Sequence, residues 1–305
     1  MEGETAGDPM TGLKWTHRTT QKIAKELRGL GIQVSRNTVG RLLRKIGFSL
    51  RVNSKKVSRC TRAERDAQFH KIRRHRSTFL RRGDPVIAVD TKKKELVGRF
   101  KNAGSAWSRE AVRVHDHDFR SQAQGIAVPY GIYDVGANRG FVCVGTCYDT
   151  PEFAADSLAV WWRSEGRLRY RGAKHLLVLA DGGGGNGFRC HLWKLALQEK
   201  LCDRYGLNVV VCHYPPGTSK WNPADHRLFC EISKNWAGRP LDSYETVLKY
   251  IRTTKTRTGL RVRAVLVPKQ YRKGVQVPEA KMKRLRLRRH PCMPEWSYTI
   301  RPREM

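Results

Sequence analysis

The most constraining feature of the sequence is a pair of short apolar runs that each lead directly to a carboxylate. Residues 86–89 end on Asp90, and residues 176–180 end on Asp181. Runs of this length and composition are typical of strands buried on both faces of an α/β sheet. Binding residues of open α/β sheets collect at the carboxyl ends of the strands. The two aspartates are therefore predicted to lie at one functional edge of a sheet.

The chain beyond Asp181 alternates helices and strands. Four glycines, residues 182–185, follow directly. An apolar-periodic segment over 187–203 predicts a helix, and a Val-rich run over 208–213 predicts a buried strand. A second helix begins after the Pro-Pro-Gly break and carries Asp225 in its first turn. The glycines would let the backbone approach a phosphate or a metal ion closely; a flexible loop without a ligand is the alternative.

Three aspartates in this order predict a site for divalent cations. Asp90, Asp181 and Asp225 offer carboxylate oxygens, which are the ligands that Mg²⁺ prefers. Two such ions about 4 Å apart promote phosphoryl transfer. Each aspartate taken alone also fits a turn residue or a helix N-cap. The prediction therefore depends on their joint occurrence in a strongly basic chain.

The charge of the chain predicts a polyanionic partner. Lys and Arg number 60 and Asp and Glu 27 among 305 residues, which gives a formal net charge of +33. The excess is spread along the whole length, and phosphate neutralisation that releases counterions favours nucleic acid. An anionic membrane surface is the competing partner. No run is long and apolar enough for a transmembrane helix, and the first residues lack a secretory signal, so we expect no membrane association.

The eight cysteines predict a reducing compartment. None forms a Cys-x-x-Cys pair, and most resemble small core residues, so reduced thiols in the cytoplasm are expected. A zinc site that combines some of them with His175, His191 or His213 is an alternative. The His-Asp-His-Asp run at 115–118 is either a further metal site or, as such loops more often are, a solvated turn.

Near the N-terminus the pattern predicts a helix-turn-helix. Residues 16–30 and 35–47 read as two helices joined by a short connection that contains Gly31, with Ser35 as the N-cap of the second. In such motifs the second helix enters the DNA major groove. An ordinary helical hairpin with a solvated basic face is the alternative. The candidate DNA contacts on the second helix are Arg36, Asn37, Arg41, Arg44 and Lys45.

The order of elements predicts the domain organisation. A strand that ends on Asp90 is followed by two more strands, over 126–134 and 141–149, and then by helix–strand–helix units. A mixed α/β sheet that begins with antiparallel strands and is flanked by helices is typical of an RNase H-like fold, although the pattern alone does not exclude another α/β fold. We expect a linker or truncated start, a helix-turn-helix DNA-binding segment, a basic helical linker, an RNase H-like catalytic domain and a basic C-terminal extension, at residues 1–15, 16–50, 51–83, 84–255 and 256–305 respectively.

Four motifs carry a family resemblance. They are VIAVDTKKKELVGRFKNAG, VPYGIYD, LLVLADGGGGNGFRCHLWK and HYPPGTSKWNPADHRLFCEISKNWAGRPL. They resemble the bacterial DDE transposases called the Rhodopirellula transposase family, of ISAzo-type insertion sequences. The resemblance runs from Leu13 to Tyr298. It implies an RNase H-like catalytic domain that cuts and joins the ends of an insertion sequence with the acidic triad Asp90, Asp181 and Asp225.

The same resemblance implies cofactors and partners. Two Mg²⁺ ions, which Mn²⁺ can replace, would be shared by Asp90 and Asp181, and Asp225 would complete the coordination of one of them. The partners would be double-stranded DNA of the element ends and the target, in the bacterial cytoplasm at the nucleoid, and a homodimer on paired ends is compatible with this. The residues expected to hold the DNA backbone near the site are Lys92, Lys93, Lys94, His213, Lys220 and Arg227.

Two departures from the family pattern keep alternatives open. The family has Lys-Ile-Glu after Trp-Asn, whereas this chain has Pro223, Ala224 and Asp225, so the third carboxylate is one methylene shorter. Glu231 is the reserve third acid. Family members also carry more N-terminal sequence. A truncated, catalytically inactive DNA-binding remnant is therefore the alternative function, and a nuclease that cuts without joining is a second one.

Overall fold

The computed structural model describes residues 6–7, 14–15, 18–50 and 61–303. The chain divides into two compact units, Met1–Lys56 and Val57–Met305. In the expected linker over 1–15, only strands β1 (Ala6–Gly7) and β2 (Lys14–Trp15) are described, and they pair with each other in antiparallel orientation. The remainder of that linker and the first part of the basic linker, residues 51–60, lie outside the described residues.

The first unit contains two helices in the predicted positions. They are α1 (Thr20–Gly29) and α2 (Arg36–Lys45). The Ser35 hydroxyl accepts a hydrogen bond of 3.1 Å from the Thr38 N–H, so Ser35 is the N-cap, as predicted. The helices share a small apolar core of Ile23, Ala24 and Val39.

The second unit contains alternating strands and helices. The described helices are α3 (Arg62–Arg82), α4 (Pro151–Trp161), α5 (Arg167–Arg169), α6 (His191–Leu197), α7 (Cys230–Asn235), α8 (Tyr244–Thr253) and α9 (Glu279–Lys283). The described strands are β3 (Val86–Thr91), β4 (Glu95–Val97), β5 (Gly125–Asp134), β6 (Arg139–Gly145), β7 (His175–Ala180), β8 (Asn208–His213), β9 (Arg261–Val267), β10 (Leu287–Arg289) and β11 (Ser297–Ile300).

Three helices include π-helical segments, which the apolar periodicity does not predict. Trp162–Gly166 continues α4, Gln198–Asp203 continues α6, and Ala224–Phe229 precedes α7. Short π segments inside helices are frequent at functional sites. The last of the three contains Asp225.

The strands of the second unit form one mixed sheet, nine-stranded in the described residues. β3 lies near its centre, antiparallel to β5 and parallel to β7. β6 is antiparallel to β5, and β8 is parallel to β7. A sheet begun by antiparallel strands and continued by α/β units confirms the predicted RNase H-like fold. β3, β7 and β8 consequently end at the same side of the sheet.

The sheet extends beyond the boundary expected at residue 255. β9 pairs in parallel with β6, β11 pairs antiparallel with β8, and β10 pairs with β11. The segment 256–305, expected as a basic extension, therefore supplies strands to both edges of the sheet. In β9 the exposed Arg261 and Arg263 alternate with the buried Val262 and Ala264, so its basic composition belongs to a half-exposed strand.

Helices cover both faces of the sheet. On one face α4 and α6 pack with Trp161 and Trp193 fully buried. On the other face lie α3, the helical segment that ends with α7, and α8. The basic helix α3 is thus more than a linker, since Ile72 and Phe79 are buried in this core and the Gln68 side-chain amide donates to the His213 carbonyl at 2.7 Å. None of the described helices is both long and apolar enough to cross a membrane.

Candidate active site

Asp90 and Asp181 lie side by side at the carboxyl ends of two adjacent strands. β3 and β7 are parallel, with Val89 paired to Ala180, so the residues that follow this pair are neighbours. Both aspartates are half-buried. The backbone N–H of Thr91 donates to an Asp90 carboxylate oxygen at 2.8 Å, and a backbone N–H in the glycine run donates to Asp181. The structure therefore brings together two of the three predicted carboxylates.

Burial and mutual repulsion change the proton affinity of both groups. Burial, followed by the negative charge of Asp181, raises the pKa of Asp90 to about 7. Burial raises the pKa of Asp181 to about 6, and the negative charge of Asp149 adds to this. A carboxyl group whose pKa is raised in this way is destabilised in its charged form. Neither carboxylate forms an ion pair with a described residue, so a bound cation would relieve the repulsion.

A further carboxylate, Asp149, belongs to this site and was not predicted. The Thr91 hydroxyl donates to it at 3.2 Å, and a backbone N–H of Gly185 donates as well. Burial raises the pKa of Asp149, while Lys94 lowers it. β6 ends at Gly145, earlier than the expected 149, and runs parallel to β3, so the carboxylate emerges at the same side of the sheet. A carboxylate shortly after a strand parallel to β3 was the signal for it.

The glycine run after Asp181 packs against Asp149 rather than forming an open loop. A Cβ at Gly185 would lie 2.8 Å from the Thr150 carbonyl oxygen and 3.0 Å from Asp149 Oδ1. Gly184 has a φ of +59°, a conformation that other residues rarely adopt. The close backbone approach that the glycines permit is therefore made to the protein itself, in the described structure.

Asp225 is held near this group by its neighbours in the chain. The Asn222 side chain is fully buried, and its amide donates to the Val89 carbonyl at 3.0 Å while its oxygen accepts from Ala224 N–H at 3.1 Å. Asn222 thus ties the start of the helical segment to the strand residue before Asp90. Asp225 itself is exposed, and its negative charge contributes to the raised pKa of Asp90.

Gly131 on β5 has no side chain, which lets the helical segment Ala224–Phe229 approach the sheet next to Asp90. Gly131 is paired with Asp90 across the sheet, and a Cβ at Gly131 would lie 2.5 Å from the Phe229 ring. The reserve acid Glu231 has a different environment. Its carboxylate binds Lys234 at 2.6 Å, and this hydrogen bond lowers its pKa. Glu231 is absent from the charges that act on Asp90.

We call Asp90, Asp149, Asp181 and Asp225 the carboxylate edge. Its oxygen donors and like-charge repulsion suit a hard divalent cation. In the described residues, no three His, Cys, Asp or Glu side chains come close enough together to hold one ion. The described residues therefore contain neither the alternative zinc site nor a formed metal site at residues 115–118. The donor chemistry fits the implied metal, and the carboxylate edge would have to close further around it.

His213 was expected to contact DNA, but it is fully buried. One ring nitrogen, Nδ1, lies 2.8 Å from the Asp181 carbonyl oxygen, and Nε2 lies 3.1 Å from the Tyr298 hydroxyl. Since a carbonyl only accepts, Nδ1 carries the proton and Nε2 accepts from Tyr298. Burial lowers the pKa of His213 to about 4, so the ring is neutral. His213 therefore positions the backbone of Asp181 from inside the sheet.

Tyr130 is a second buried group that the sequence did not single out. It is fully buried on β5, and its hydroxyl donates to the Asn186 side-chain oxygen at 2.8 Å. Burial, then the charges of Asp149, Asp90 and Asp181, raise its pKa well above the usual value. The neutral Tyr130 hydroxyl consequently forms part of the floor beneath the carboxylates.

The predicted DNA-backbone contacts differ in their availability. Lys92 binds Glu95 at 2.7 Å and lies over the Trp236 ring, and only 13% of its side chain is exposed. Lys93, Lys94, Lys220 and Arg227 are exposed. In the first unit, the α2 residues predicted to contact DNA are exposed as well: Arg36, Asn37, Arg41, Arg44 and Lys45.

Comparison with solved structures finds complexes of Mos1 transposase. The mariner Mos1 paired-end complex with Mg is 16% identical with a TM-score of 0.46, covering 77% of this chain and 65% of that one. The Mos1 strand transfer complex is 16% identical with a TM-score of 0.45, covering 77% and 64%. A pre-cleavage Mos1 transpososome is 15% identical with a TM-score of 0.45, covering 77% and 66%. This chain thus spans about two thirds of the length of those chains or slightly less.

Comparison with protein families gives a match along nearly the whole chain. No curated protein matched the sequence. The family model described as Rhodopirellula transposase DDE domain matches residues 1–302. This match confirms the resemblance drawn from the sequence motifs, and the chain belongs to the Rhodopirellula transposase DDE domain family.

Proposed function

We propose that the protein is a DDE transposase that cleaves DNA strands at the ends of an insertion sequence and joins them to target DNA. The observation that carries the proposal is the carboxylate edge. Asp90 and Asp181 lie half-buried at adjoining strand ends, and the pKa of each carboxyl is raised, to about 7 and about 6. A site that crowds carboxylates without a neutralising partner suits a cation-dependent reaction.

The proposed cofactor is Mg²⁺, with Mn²⁺ as a substitute, and two ions are expected. Asp90 and Asp181 would hold them, and Asp225 would complete the set. Divalent ions at such a site supply activation of the attacking oxygen and stabilisation of the leaving oxygen in phosphoryl transfer. The charge of Asp225 acts on Asp90, whereas Glu231 is engaged by Lys234, which supports Asp225 as the third acid.

The chain's own residues would orient this site and bind the substrate. Asp149 joins the end of β3 to the glycine run through Thr91 and Gly185, and this arrangement would hold Asp90 and Asp181 at a constant separation. Exposed cations around the edge would bind the phosphates of the DNA strand. The candidates are Lys93, Lys94, Lys220 and Arg227. Lys92, bound to Glu95, would instead support the loop after β3.

Sequence recognition is proposed for the first unit. α1 and α2 have the lengths and the short connection of a helix-turn-helix, and α2 exposes Arg36, Asn37 and Arg41 along its first turns. We propose that these residues read base edges, while Arg44 and Lys45 bind phosphates. The proposed partner is double-stranded DNA of the element ends and the target, bound by a homodimer at the bacterial nucleoid in the cytoplasm.

The experiment is an in vitro reaction with the full chain. Purified protein is incubated with duplex DNA that carries the terminal repeats flanking its coding sequence, together with a target plasmid and Mg²⁺, Mn²⁺ or EDTA. We expect strand cleavage and joining with either metal and none with EDTA. Cleavage without joining would favour the nuclease alternative. DNA binding without cleavage, with either metal on correct ends, would favour the inactive remnant.

A further inference from the structure

A large groove lies on the face of the sheet that carries α3. Its volume is about 990 Å³, and it runs between the second half of α3 and strands β8, β10 and β11. His175 and Asn208, which begin β7 and β8, line it. Asp181 follows the other end of β7. Since a strand of 6 residues at about 3.3 Å per residue spans about 20 Å, the end of the groove at His175 lies about 20 Å from the carboxylate edge. The Lys71 end is nearer, because Gln68, one turn earlier on α3, donates to the His213 carbonyl.

Cations line this groove, which we call the basic groove. Lys71, Arg74 and Arg82 come from α3, Arg288 from β10, and Arg301 from the residue after β11. None of the lining residues within the described ranges is acidic. These five cations form no ion pair with a carboxylate in the described residues. Their charges are therefore available to an anionic ligand.

The positive charges crowd each other. Burial lowers the pKa of Lys71. Burial, then Lys71 and Arg74, lower the pKa of His75. The His290 ring lies 5.4 Å from the His75 ring, and burial, then Lys71 and His75, lower its pKa to about 4. Positive charge is thus destabilised here in the absence of an anion, just as negative charge is at the carboxylate edge.

The arrangement of the cations is linear. Lys71, Arg74 and Arg82, with the uncharged Thr78 between the last two, recur at intervals of three or four residues along one side of α3. At 1.5 Å per residue this row is about 16 Å long, the length of roughly five phosphates of one DNA strand. A straight row in a concave groove matches a strand backbone. A lipid surface is flat and is bound by flat or convex amphipathic surfaces.

We propose that the basic groove binds the sugar–phosphate backbone of duplex DNA, at a segment separate from the one held at the carboxylate edge. The inference rests on the proposed function, which makes DNA the substrate of the same chain. The contact at the far end of the groove, about 20 Å away, corresponds to about six base pairs along the duplex. It would fix the direction in which DNA leaves the site without touching the reacting phosphate.

The test measures DNA affinity in EDTA, so that no cleavage occurs and the result is independent of the active-site assignment. The triple variant Arg74→Ala/Arg288→Ala/Arg301→Ala removes three exposed groove cations. A second triple variant with Lys at the same three positions keeps the positive charges and removes only the guanidinium groups. The matched control removes three exposed cations outside the groove and is Lys249→Ala/Arg257→Ala/Arg272→Ala.

The readout is fluorescence anisotropy of a labelled 30-base-pair duplex at several salt concentrations. We expect the groove Ala triple to bind about 10- to 100-fold more weakly near 0.1 M salt and to lose about 2 to 3 from the log–log salt slope. The Lys triple should retain most of the affinity, and the control should lose much less than the groove triple. Circular dichroism of each variant verifies that it is folded.

Three results would overturn the inference. The control triple could lose as much affinity as the groove triple, which would reduce the effect to net charge. The groove triple could bind DNA like the unmutated protein. It could also lose binding to vesicles of anionic phospholipid while keeping its DNA affinity, which would identify a membrane surface as the partner. A failure to cleave in the Mg²⁺ reaction affects the proposed function alone, since groove binding is measured without metal.

Discussion

The carboxylate edge and the basic groove of the central sheet carry opposite charges. In both sites, burial and like-charge repulsion disfavour the charged form of the side chains. At the carboxylate edge, burial and repulsion raise the pKa of Asp90 to about 7. In the basic groove, burial and repulsion lower the pKa of His290 to about 4. Both sites therefore disfavour their own charged forms in the isolated chain. Each is suited to a ligand of the opposite sign, a divalent cation at one side and a phosphodiester backbone at the other.

The difference between the two sides lies in how the charges are held. The carboxylate edge is ordered by hydrogen bonds from Thr91, Gly185 and Asn222, and two of its carboxylates, Asp90 and Asp181, lie at the ends of adjoining strands. The cations of the basic groove are mostly exposed and come from one helix and two strands. A reaction requires fixed oxygen positions, whereas backbone binding tolerates side-chain freedom. Variants should therefore separate chemistry from affinity.

The largest effect is expected at the strand-end aspartates. Asp90→Asn or Asp181→Asn should lower metal-dependent cleavage by about a thousandfold or more, because each removes a charge that would hold the cation, worth several kcal/mol of transition-state stabilisation. DNA affinity in EDTA should stay within about threefold of the unmutated value, because the basic surface is unchanged. Single-turnover cleavage and anisotropy provide the two measurements. Wild-type cleavage rates in either variant would contradict the triad.

The next prediction separates the candidate third acids. Asp225→Ala should abolish cleavage, and Asp225→Glu should retain part of it because Glu restores the residue of the family pattern. Glu231→Ala should change the rate less than about threefold, since Glu231 binds Lys234 instead. The measurement is the cleavage rate at saturating Mg²⁺. The reverse outcome, with Glu231→Ala inactive and Asp225→Ala active, would move the third acid along the helix.

The stress at the carboxylate edge should be visible as a pH-dependent stability. The folded pKa of Asp90 is raised from 3.8 to about 7, so the native state binds more protons than the unfolded state between these values, and stability falls as pH rises through this window. In EDTA at pH 8, Asp90→Asn should therefore be more stable than the unmutated protein, by on the order of 2 kcal/mol.

The difference should be largely lost near pH 4, where Asp90 is protonated in the folded state and about half protonated in the unfolded state. Saturating Mg²⁺ should reverse the order at pH 8, because only the unmutated protein binds the cation fully. Urea unfolding at the two pH values, with and without Mg²⁺, measures these effects. If the difference in stability between the unmutated protein and Asp90→Asn did not depend on pH, the pKa of Asp90 would not be raised in the folded state.

Specific recognition should respond to a different set of residues. Replacing Arg36, Asn37 and Arg41 together with Ala should lower the ratio of specific to non-specific DNA affinity by about tenfold or more, because base contacts would be lost. The groove triple should lower both affinities in equal proportion. Anisotropy with element-end and random duplexes measures the ratio. An unchanged ratio would make α1 and α2 an ordinary helical hairpin.

The smallest expected effect concerns the support behind Asp181. The Tyr298 hydroxyl accepts from the Trp193 ring nitrogen at 3.1 Å and donates to His213, which holds the Asp181 carbonyl. Tyr298→Phe removes both hydrogen bonds and leaves two buried nitrogens, Trp193 Nε1 and His213 Nε2, without this partner, which should lower the stability by about 1 to 3 kcal/mol for each. Cleavage should fall severalfold, with DNA affinity unchanged. A Tyr298→Phe variant with a thousandfold loss would place the hydroxyl in direct contact with the reaction.

The sequence predicted the parts of the site that follow from strand patterns. Asp90 and Asp181 directly follow apolar runs, and the order of strands around them indicated an RNase H-like fold without excluding another α/β fold. Asp149 was not singled out, although the strand predicted over 141–149 ended on it. In the structure β6 already ends at Gly145, and Asp149 lies just before α4. Its link to Thr91 and Gly185 is a tertiary contact, which no local pattern contains.

Three other features were missed or misassigned from the sequence: the strands in 256–305, the burial of His213 and the basic groove. The strands in 256–305 were hidden by arginines, although Arg261 and Arg263 alternate regularly with apolar residues in β9. His213 ends a buried strand, and its position next to the predicted site suggested DNA binding, but its ring points into the core. The basic groove was not predicted, because it is assembled from α3, β10 and β11, which are far apart in the chain.

The hydrogen-bonded chain of Trp193, Tyr298 and His213 behind Asp181 also has a consequence for the time course of folding. His213 and Tyr298 are 85 residues apart in the chain, and Trp193 and Tyr298 are 105 apart. Contacts of such long range form late, because the loop entropy must be lost before they contribute. The carboxyl ends of β7 and β8 can pair earlier, but Asp181 gains its final support only when β11 docks. During refolding, the circular dichroism of the β-sheet should therefore return before the cleavage activity does.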